Sequence, residues 1–317
     1  MTIIPKYTIS QKDVQLSADT PLRAITTRVK GKIAPHNHDY CEACFIQRGR
    51  GLHVTGEGRL PLKRGDLIAT VPGDVHAFEE CKNLEVINVY YLSEWLLHSV
   101  GSYWSKRTLF SLFFARSLFR MPFRLPVPHF SVGENASGCE EELFDIASIK
   151  IKDPLFLQAA FIKFMLLAAA ASHREEGENV QWAFRPDVWN AIRRIELMVS
   201  EGQPFELSKL GGESAVGPVH LARLFKKQTG WKPSEFHQFR RVQHAGSKLL
   251  DHQNTITDVA LDSGFSDTSH FDRQFRKYFK MSPRQYRNLY KVSAAAGRGQ
   301  INRAGGIRDE VLNSDNA

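Results

Sequence analysis

Three histidines and one glutamate in the N-terminal part of the chain have side chains that could bind a metal ion or a polar molecule. His36, His38 and Glu42 follow one another closely, and His76 lies in a separate segment. Three imidazoles and a carboxylate are a suitable ligand set for zinc, iron, manganese or nickel. In a pocket, the same groups can form hydrogen bonds with the hydroxyl groups of a small molecule. The residue types alone leave both interpretations open.

Two arginines near the other end of the chain could read DNA bases. Arg223 and Arg273 occupy equivalent positions in two similar stretches. A guanidinium group that forms two hydrogen bonds with guanine is the commonest specific contact with a base. A phosphate contact or a surface ion pair is the alternative for each arginine. Residues 187–291 contain 17 Lys and Arg against 11 Asp and Glu, a basic excess that is typical of a phosphate-binding surface.

The sequence around Arg273 has the pattern of a helix, a glycine turn and a second helix. Residues 255–287 read TITDVALDSGFSDTSHFDRQFRKYFKMSPRQYR. Thr255 is a suitable cap for the first helix, and Gly264 can take the left-handed conformation that ends it.

The second of these helices is predicted to start at a polar cap, Ser266 or Asp267. Phe271 and Phe275 are four residues apart and face inward, while polar residues occupy the first turns. This arrangement is the helix-turn-helix pattern. A helical hairpin that only packs against its neighbours is the alternative.

The stretch RLFKKQTGWKPSEF, which starts at Arg223, has a similar copy fifty residues later, RQFRKYFKMSPRQY, which starts at Arg273. The matching positions are Arg223/Arg273, Phe225/Phe275, Lys226-Lys227/Arg276-Lys277, Pro233/Pro283 and Phe236/Tyr286. Residues 207–213 match 256–262 as the first helix of each copy, and one long helix over about 233–251 is predicted to join the copies. Such a repeat indicates two copies of one supersecondary unit.

The segment from about 187 to 290 resembles the DNA-binding domain of the AraC/XylS transcription regulators, chiefly in its closing pattern ALDSGFSDTSHFDRQFRKYFKMSPRQYR. The resemblance implies that the second helix of each motif faces the DNA groove. The implied DNA-binding residues are Val219, His220, Ala222, Arg223 and Lys226 in the first motif and Thr268, Ser269, His270, Asp272, Arg273 and Arg276 in the second. Of these, Lys226 and Arg276 are expected to serve phosphates or solvent, and Val219 and Ala222 could make only apolar contacts.

The first motif departs from the family pattern at three positions. Gly211 replaces an alanine of the first helix, Ala215 replaces the turn glycine, and Gly217 replaces a serine cap. Glycine inside a helix costs up to about 1 kcal/mol relative to alanine. We therefore expect a weaker first helix in this motif.

Glycine turns divide the N-terminal part into short segments. Turns near 56–58, at 63–66 and at 72–73 separate short strands, which favours an all-β barrel or jelly roll. The order H-x-H-x-x-x-E-x-x-x-x-x-x-G followed by P-G-x-x-H is similar to the two cupin motifs, over about residues 30–90. A cupin barrel would bring the three histidines and the glutamate to one interior face.

Residues 92–172 have mixed helical spacing. On the helix predicted over 154–171, Phe156, Ala160, Phe164 and Leu167 form one apolar stripe, which indicates a buried or interface helix. The expected division is a barrel with dimerisation helices over 1–172, a polar linker over 173–186, a DNA-binding domain over 187–291 and a disordered tail over 292–317. The predicted fold class is therefore α+β with two domains.

The cysteines and the termini carry weaker signals. Cys41 and Cys44 form a lone C-x-x-C inside a predicted strand, and zinc would need two further ligands, so reduced structural cysteines are expected. The N-terminus lacks the pattern of a signal segment, and polar residues interrupt the longest apolar run. These features predict a cytoplasmic protein without a membrane span.

The complete layout resembles the sugar-responsive AraC-type regulators, with the N-terminal residues most similar to the rhamnose type and next to the chitobiose type. The resemblance implies a dimeric transcription activator, without enzymatic activity or a resident cofactor. Its effector, a sugar, would bind at His36, His38, Glu42 and His76. Operator half-sites in double-stranded DNA and RNA polymerase are the implied macromolecular partners. The alternative is a metal-dependent cupin enzyme or a metal-responsive regulator, with a divalent metal at the same four residues.

Overall fold

The computed structural model describes residues 3–17, 20–93, 107–119, 127–148, 153–175, 184–211, 216–251 and 253–289. These residues form two compact units. The first, the sheet domain, contains the described residues up to 92 and those from 127 to 175; the second, the helical domain, contains 107–119 and the described residues from 184 onward. The predicted tail 292–317 and most of the predicted linker 173–186 lie outside the described residues.

The described strands all belong to the sheet domain. They are β1 (Tyr7–Ile9), β2 (Leu22–His38), β3 (Cys41–Thr55), β4 (Gly58–Leu62), β5 (Asp66–Thr70), β6 (His76–Tyr91) and β7 (His129–Ser131). They form one sheet in the order β1-β2-β6-β3-β5-β7, with β4 paired to β3. Only the pairing of β1 with β2 is parallel in this part of the chain.

The described α-helices follow in chain order. They are α1 (Arg107–Phe113), α2 (Ala115–Leu118), α3 (Ala136–Ala147), α4 (Pro154–Glu175), α5 (Pro186–Ser200), α6 (Leu207–Gly211), α7 (Pro218–Thr229), α8 (Pro233–Leu250), α9 (Ile256–Asp262), α10 (Thr268–Phe279) and α11 (Pro283–Leu289). A strand domain followed by a helical domain confirms the predicted two-domain α+β class.

The sheet curls because its long strands carry irregularities near their middles. Strand β6 pairs with β2 on one side and with β3 on the other, and the register shifts around Gly31 and Gly49. Both glycines have positive φ, and bulges of this kind bend strands and increase their twist. As a result, the rings of His53 on β3 and His129 on β7 are 5.4 Å apart, although β5 separates the two strands in the sheet. The sheet therefore encloses an interior, as a cupin-like barrel does.

The predicted turns of the sheet domain are confirmed. Thr55 pairs with Gly58 across the first turn. The Asp66 N–H donates to the Lys63 carbonyl at 3.1 Å in the second. The third ends just before β6 and so sets the position of its first residue, His76.

Helix α4 packs within the sheet domain through the middle of its predicted apolar stripe. Ala160 and Phe164 are buried, and the ring of Phe161 packs 4.9 Å from the ring of Tyr91 at the end of β6. Phe156 is 38% exposed, and Leu167 is half-buried. Of the two predicted alternatives for this helix, the buried one therefore describes only the middle of the stripe. No helix in the described part of the chain is long and apolar enough to span a membrane.

The segment 107–119 packs differently from the expected division, which placed it in the N-terminal domain. The ring of Phe110 contacts Trp189 of α5 at 5.1 Å, and the ring of Phe119 contacts Phe236 of α8 at 5.3 Å. The Trp231 indole N–H donates to the Leu118 carbonyl at 2.9 Å. The aromatic residues of this segment thus lie in the core of the helical domain, although strands of the sheet domain precede and follow it in the sequence.

The helical domain contains both predicted motifs. Helices α6 and α7 form the first motif, α9 and α10 form the second, and α8 is the predicted long connecting helix. The predicted first helix 207–213 is described over Leu207–Gly211, and Ala215 lies outside the described residues. Phe271 and Phe275 are fully buried, as predicted.

The turn of the second motif is also confirmed. Gly264 has φ +76°, and a Cβ there would lie 2.6 Å from the Gly202 carbonyl oxygen. The cap of α10 is Asp267 rather than Ser266, because the Asp267 carboxylate accepts the His270 N–H at 2.7 Å.

All four cysteines are buried, and none of them forms a disulfide bond in the described structure. Cys41 and Cys44 are three residues apart on one strand and so point to opposite faces of the sheet. This pair therefore cannot bind one metal ion together.

Candidate functional site

The pairing of β2 with β6 brings three histidines together inside the barrel. His36 lies directly opposite His76, and His38 is two residues further along β2. The ring centroids are 4.6 Å apart for His36 and His76, 5.0 Å for His36 and His38, and 5.2 Å for His38 and His76. Each ring offers a ligand atom within 4.8 Å of the others, and all three side chains are buried.

Glu42 joins this group from β3, on the opposite side of β6. It lies opposite Tyr90 of β6 and Thr70 of β5 in the sheet. Its Oε2 atom is 3.6 Å from His38 Nε2 and 3.8 Å from His76 Nε2. The four residues predicted to line the pocket therefore meet in the barrel interior.

Several nitrogens of this group are left without hydrogen bonds. His36 Nδ1 is 2.9 Å from the Ala34 carbonyl and donates to it, which leaves the lone pair on Nε2. His38 Nδ1 and both nitrogens of His76 are buried and have no hydrogen-bond partner among the described residues. Because an unsatisfied buried polar atom costs about 1–3 kcal/mol, this group is suited to receive a polar ligand.

Burial keeps the group electrically neutral. Loss of water, with a smaller contribution from the neighbouring His36, lowers the pKa of His38 to about 3. Burial likewise lowers the pKa of His36 and of His76. It raises the pKa of Glu42 to about 8, against a smaller opposing effect of Thr70. At neutral pH the site thus offers uncharged imidazoles and a largely protonated carboxyl group, which can both donate and accept hydrogen bonds.

Two further histidines extend the group along the barrel. The ring of His53 on β3 is 5.5 Å from His76 and 5.4 Å from His129 on β7. His129 Nε2 is 3.4 Å from Asp66 Oδ2. Neither nitrogen of His53 has a hydrogen-bond partner among the described residues.

Sequence reasoning missed these residues for identifiable reasons. The register shifts between Arg48 and Leu52 break the alternation of inward and outward residues, so the inward position of His53 could not be counted from Glu42. His129 lies in a strand of three residues, which is too short to show a period. The sequence showed only one histidine in each of two short stretches, and a single histidine is weak evidence for a binding residue.

The second motif exposes the side of α10 that lies away from Phe271 and Phe275. The predicted residues on this side are Thr268, Ser269, Asp272, Arg273 and Arg276. His270 lies at the margin, with its ring 5.6 Å from the ring of Phe265. The spacing along α10 places these five side chains on one face of the helix, where Asp272 is half-buried and the other four are exposed.

The first motif presents a matching face on α7. Leu221 and Phe225 are fully buried on the inner side of this helix. The predicted residues on the outer side are Val219, His220, Ala222, Arg223 and Lys226. Val219 is 62% exposed, so its side chain is available for an apolar contact.

The two equivalent arginines are available for contacts outside the chain. Arg223 and Arg273 are exposed and form no ion pair within the described residues, so the predicted alternative of a surface ion pair has no support there. Arg276 differs, because its Nε donates to Asp272 Oδ2 at 2.6 Å one turn earlier.

Comparisons with known proteins identify both domains. An AraC-like ligand binding domain matches residues 25–164, and a helix-turn-helix domain matches residues 211–289. The HTH-type transcriptional activator RhaR of Yersinia pseudotuberculosis is 24% identical over 296 residues, which cover 89% of this chain and 94% of that protein. RhaR of Klebsiella pneumoniae is 24% identical over 289 residues, covering 90% of this chain and 99% of that protein.

A solved structure of ToxT from Vibrio cholerae aligns with 86% of this chain and all of its own, with a TM-score of 0.41 and 14% identity. The order of the two matched domains agrees with the sheet and helical domains described above. The chain belongs to the AraC family of DNA-binding regulators and carries an N-terminal ligand-binding domain.

Proposed function

We propose that this regulator is a transcription activator controlled by a sugar that binds inside the barrel at His36, His38, Glu42 and His76. The observation that carries the proposal is the set of buried imidazole nitrogens without hydrogen-bond partners in the described residues. A sugar hydroxyl both donates and accepts a hydrogen bond, as a neutral imidazole does, so several hydroxyls could satisfy the group together. The similarity to RhaR, a transcriptional activator, supports the activator role.

The exposed faces of α7 and α10 are the proposed DNA contacts. Arg223 and Arg273 would read bases in two adjacent segments of the major groove. Lys226 and Arg276 would contact phosphates, and Val219 could meet a thymine methyl group. Because helix-turn-helix regulators commonly bind paired half-sites as symmetric dimers, we further propose that this protein is a homodimer on adjacent half-sites. We also propose that it acts in the cytoplasm and contacts RNA polymerase there.

The segment 107–119 offers a route from the effector to the DNA-binding motifs. It lies in sequence between β6 and β7, which carry His76 and His129, and it packs in the helical domain against the first motif's neighbours Trp231 and Phe236. Because the segment is joined to both strands in the sequence, a ligand that shifts either strand would also change the position of this segment. Occupancy of the barrel would thereby change the population of the conformation that grips DNA.

The test uses full-length protein and DNA selected from a pool of random-sequence duplexes. Sugars that raise the melting temperature of the protein would be added to the selected DNA complex, and DNA affinity would be measured by fluorescence anisotropy. We expect one class of sugar to change the affinity in wild type. His38→Ala and Glu42→Ala should abolish that change and retain DNA binding without sugar. An unchanged response in both variants would show that the pocket is elsewhere.

The coupling segment has its own test. Trp231→Phe keeps an aromatic ring but removes the hydrogen bond to Leu118, and Phe119→Ala removes the ring that contacts Phe236. Both variants should still bind the sugar but should transmit less of its effect to DNA affinity. Phe156→Ala, on an exposed position of the sheet domain, is the matched control. Full transmission in both variants would exclude this route.

A metal-responsive regulator is the second candidate. It is favoured by one observation, the three imidazole ligand atoms within 4.8 Å of one another, with Glu42 alongside. The hydrogen bond from His36 Nδ1 to Ala34 leaves Nε2 as the free ligand atom, as in many metal sites. His36, His38, His76 and Glu42 would hold the ion, which would supply a positive charge that removes the proton from Glu42.

Elemental analysis separates the two candidates. A metal regulator predicts about one metal ion per chain in freshly purified protein and a loss of DNA response on chelation. A sugar regulator predicts a saturable sugar effect that chelation leaves intact. Metal content together with turnover of a sugar would instead favour an enzyme.

A further inference from the structure

We propose that the barrel has a second ligand subsite, formed by His53, His129 and Asp66, and that one polyhydroxylated molecule spans it and the four predicted residues. This inference rests on the proposed sugar-binding function and extends it. The proposed ligand would contact His53 and His129 as well as the group around His36.

His53 is the central residue of the proposed subsite. Its side chain is 1% exposed, and neither ring nitrogen has a hydrogen-bond partner among the described residues. Its ring meets His76 on one side and His129 on the other, at 5.5 and 5.4 Å. A histidine packed only for its volume could have been replaced by an apolar residue without the cost of two unsatisfied nitrogens. Its position therefore points to a group that it binds.

The pair formed by His129 and Asp66 supports the same conclusion. Asp66 Oδ2 is 3.4 Å from His129 Nε2, an arrangement that favours the proton on Nε2. The lone pair then lies on Nδ1, which is buried and has no partner in the described part of the chain. Asp66 is itself fixed, because its Oδ2 accepts the Lys63 N–H at 2.9 Å in the turn before β5. The pair is thus oriented to accept a hydrogen bond from a hydroxyl group.

The extent of the cluster argues against a single ion as the occupant. A metal bound by imidazole lies about 2 Å from each nitrogen. An ion held by His36, His38 and His76 could not also reach His129, which is two successive ring contacts away from His76. A sugar carries hydroxyl groups on several carbons and can meet nitrogens spread over this length.

An apolar residue, Phe78, packs beside both groups of histidines, with its ring 5.5 Å from that of His76. The ring of Phe78 lies 5.7 Å from His53, and Phe78 belongs to a buried cluster with Leu62 and Ile68. Such an aromatic residue can cover the apolar face of a sugar ring while the histidines bind its hydroxyls. The subsite therefore has both parts of a carbohydrate pocket, a polar row and an apolar residue beside it.

The experiment measures binding of neutral pentoses, hexoses, 6-deoxyhexoses and their disaccharides to full-length protein, by thermal shift and then by titration calorimetry. Zn²⁺, Ni²⁺ and Mn²⁺ are tested separately. Variants His53→Leu and His129→Leu should each weaken the affinity for the binding sugar by roughly 3- to 30-fold, the effect of about one or two lost hydrogen bonds. His53→Gln, which keeps a donor and an acceptor, should weaken it less and serves if the leucine variant does not fold.

The control is His237→Gln, which changes a buried histidine of the helical domain and should leave sugar affinity unchanged. If a sugar binds and His38→Ala abolishes binding while the His53 and His129 variants bind as tightly as wild type, the subsite is wrong and the proposed function stands. If no sugar of the panel binds, or if only a metal ion does, both the subsite and the sugar function are wrong. Weakened binding in both leucine variants supports the subsite.

Discussion

Asp267 caps helix α10 with a carboxylate oxygen that accepts the His270 N–H, whereas Gly217 stands at the start of α7 and has no side chain to offer. At the start of α9, Thr255 Oγ1 accepts the Asp258 N–H at 3.0 Å, and Asp258 bonds back to Thr255. Local bonds of this kind fix where a helix begins. The helix starts of the second motif are therefore determined by residues of the motif itself, to a greater extent than the start of α7 in the first motif.

Each motif is also tied by a side chain from the helix that follows it, and here too the bonds differ. His237 on α8 donates from Nε2 to the Gln203 carbonyl, before α6, at 3.1 Å. At the equivalent position, fifty residues later, Arg287 on α11 donates to the carbonyls of Leu249 and Asn254, before α9, at 3.2 and 2.8 Å. Arginine makes two bonds and stays charged at all ordinary pH values, whereas histidine makes one and can titrate.

The first motif is instead supported by contacts between distant parts of the chain. Arg240 of α8 forms two bonds with Glu196 of α5, at 2.6 and 2.9 Å, and both side chains are largely buried. The segment 107–119 adds its aromatic contacts and the bond between Trp231 and Leu118. A motif that depends on distant contacts can be weakened by changes elsewhere, so the first motif is the better place for an effector to act.

The largest expected effect comes from breaking this distant support. Glu196→Ala would remove the carboxylate that pairs with the buried Arg240 guanidinium, which should cost about 3–5 kcal/mol of folding free energy. Urea unfolding followed by circular dichroism measures the loss. Glu196→Gln keeps the shape and part of the hydrogen bonding and should lose less. Equal stability of Glu196→Ala and wild type would contradict the dependence of the first motif on this pair.

The next largest effect is expected at the turn of the second motif. Gly264→Ala would force a side chain into a left-handed conformation and place its Cβ 2.6 Å from the Gly202 carbonyl oxygen. We expect a loss of at least about 2 kcal/mol. Gly217→Ala is the matched control, since that backbone is extended and a Cβ there meets nothing within 4 Å. A similar loss in both variants would mean that the general removal of glycine, and not this turn, causes the effect.

The two motifs also show which features of the structure could be predicted from the sequence. The repeat register predicted both motifs, the connecting helix and the inward phenylalanines, because helical periodicity and capping are local properties. The pairing of His36, His38 and His76 followed only from a resemblance to a known barrel. The support given by residues 107–119 could not be predicted, because nothing in an apolar helical segment states which distant surface it will cover. Tertiary contacts of that kind are visible only in the folded chain.

Substitutions in the two motifs should change the DNA sequence preference at different positions. Arg273→Ala and Arg223→Ala should each cost about 1–3 kcal/mol of binding free energy and relax the preference at one position of each half-site, in the segment of the groove that the altered motif reads. Lys226→Ala should weaken binding about equally for all sequences and reduce the slope of affinity against salt by about one. Sequencing of DNA selected by each variant is the measurement. Unchanged discrimination in Arg273→Ala would remove that residue from the proposed contacts.

The histidine tie predicts a pH dependence that the arginine tie lacks. Burial and, to a lesser extent, the charge of Arg241 lower the pKa of His237 to about 4, against a smaller opposing effect of the bond to Gln203. The unfolded chain therefore binds a proton at higher pH than the folded chain does, so the contribution of His237 is fully present above about pH 6.5 and is lost as the pH falls toward 4. The loss should be on the order of 1 kcal/mol after allowance for solvent screening. In His237→Gln, stability between pH 6.5 and 4.5 should fall less steeply than in wild type; an identical slope would exclude this residue as the cause.

The smallest expected effects come from exchanging the two caps, and they test the comparison most directly. Asp267→Ala removes the bond to the His270 N–H and should lower the melting temperature by a few degrees. Gly217→Asp supplies the missing cap to α7 without a clash and should raise it by about one or two degrees. The bond from His270 also holds the pKa of Asp267 below its ordinary value, so this cap is present at neutral pH and is lost as acid protonates it. If the first motif is the one that the effector loosens, a capped α7 should also bind DNA with less dependence on the sugar. The double variant Gly217→Asp and Asp267→Ala should recover part of the lost melting temperature. If it keeps the full sugar response, the stability of the start of α7 is not what the effector changes.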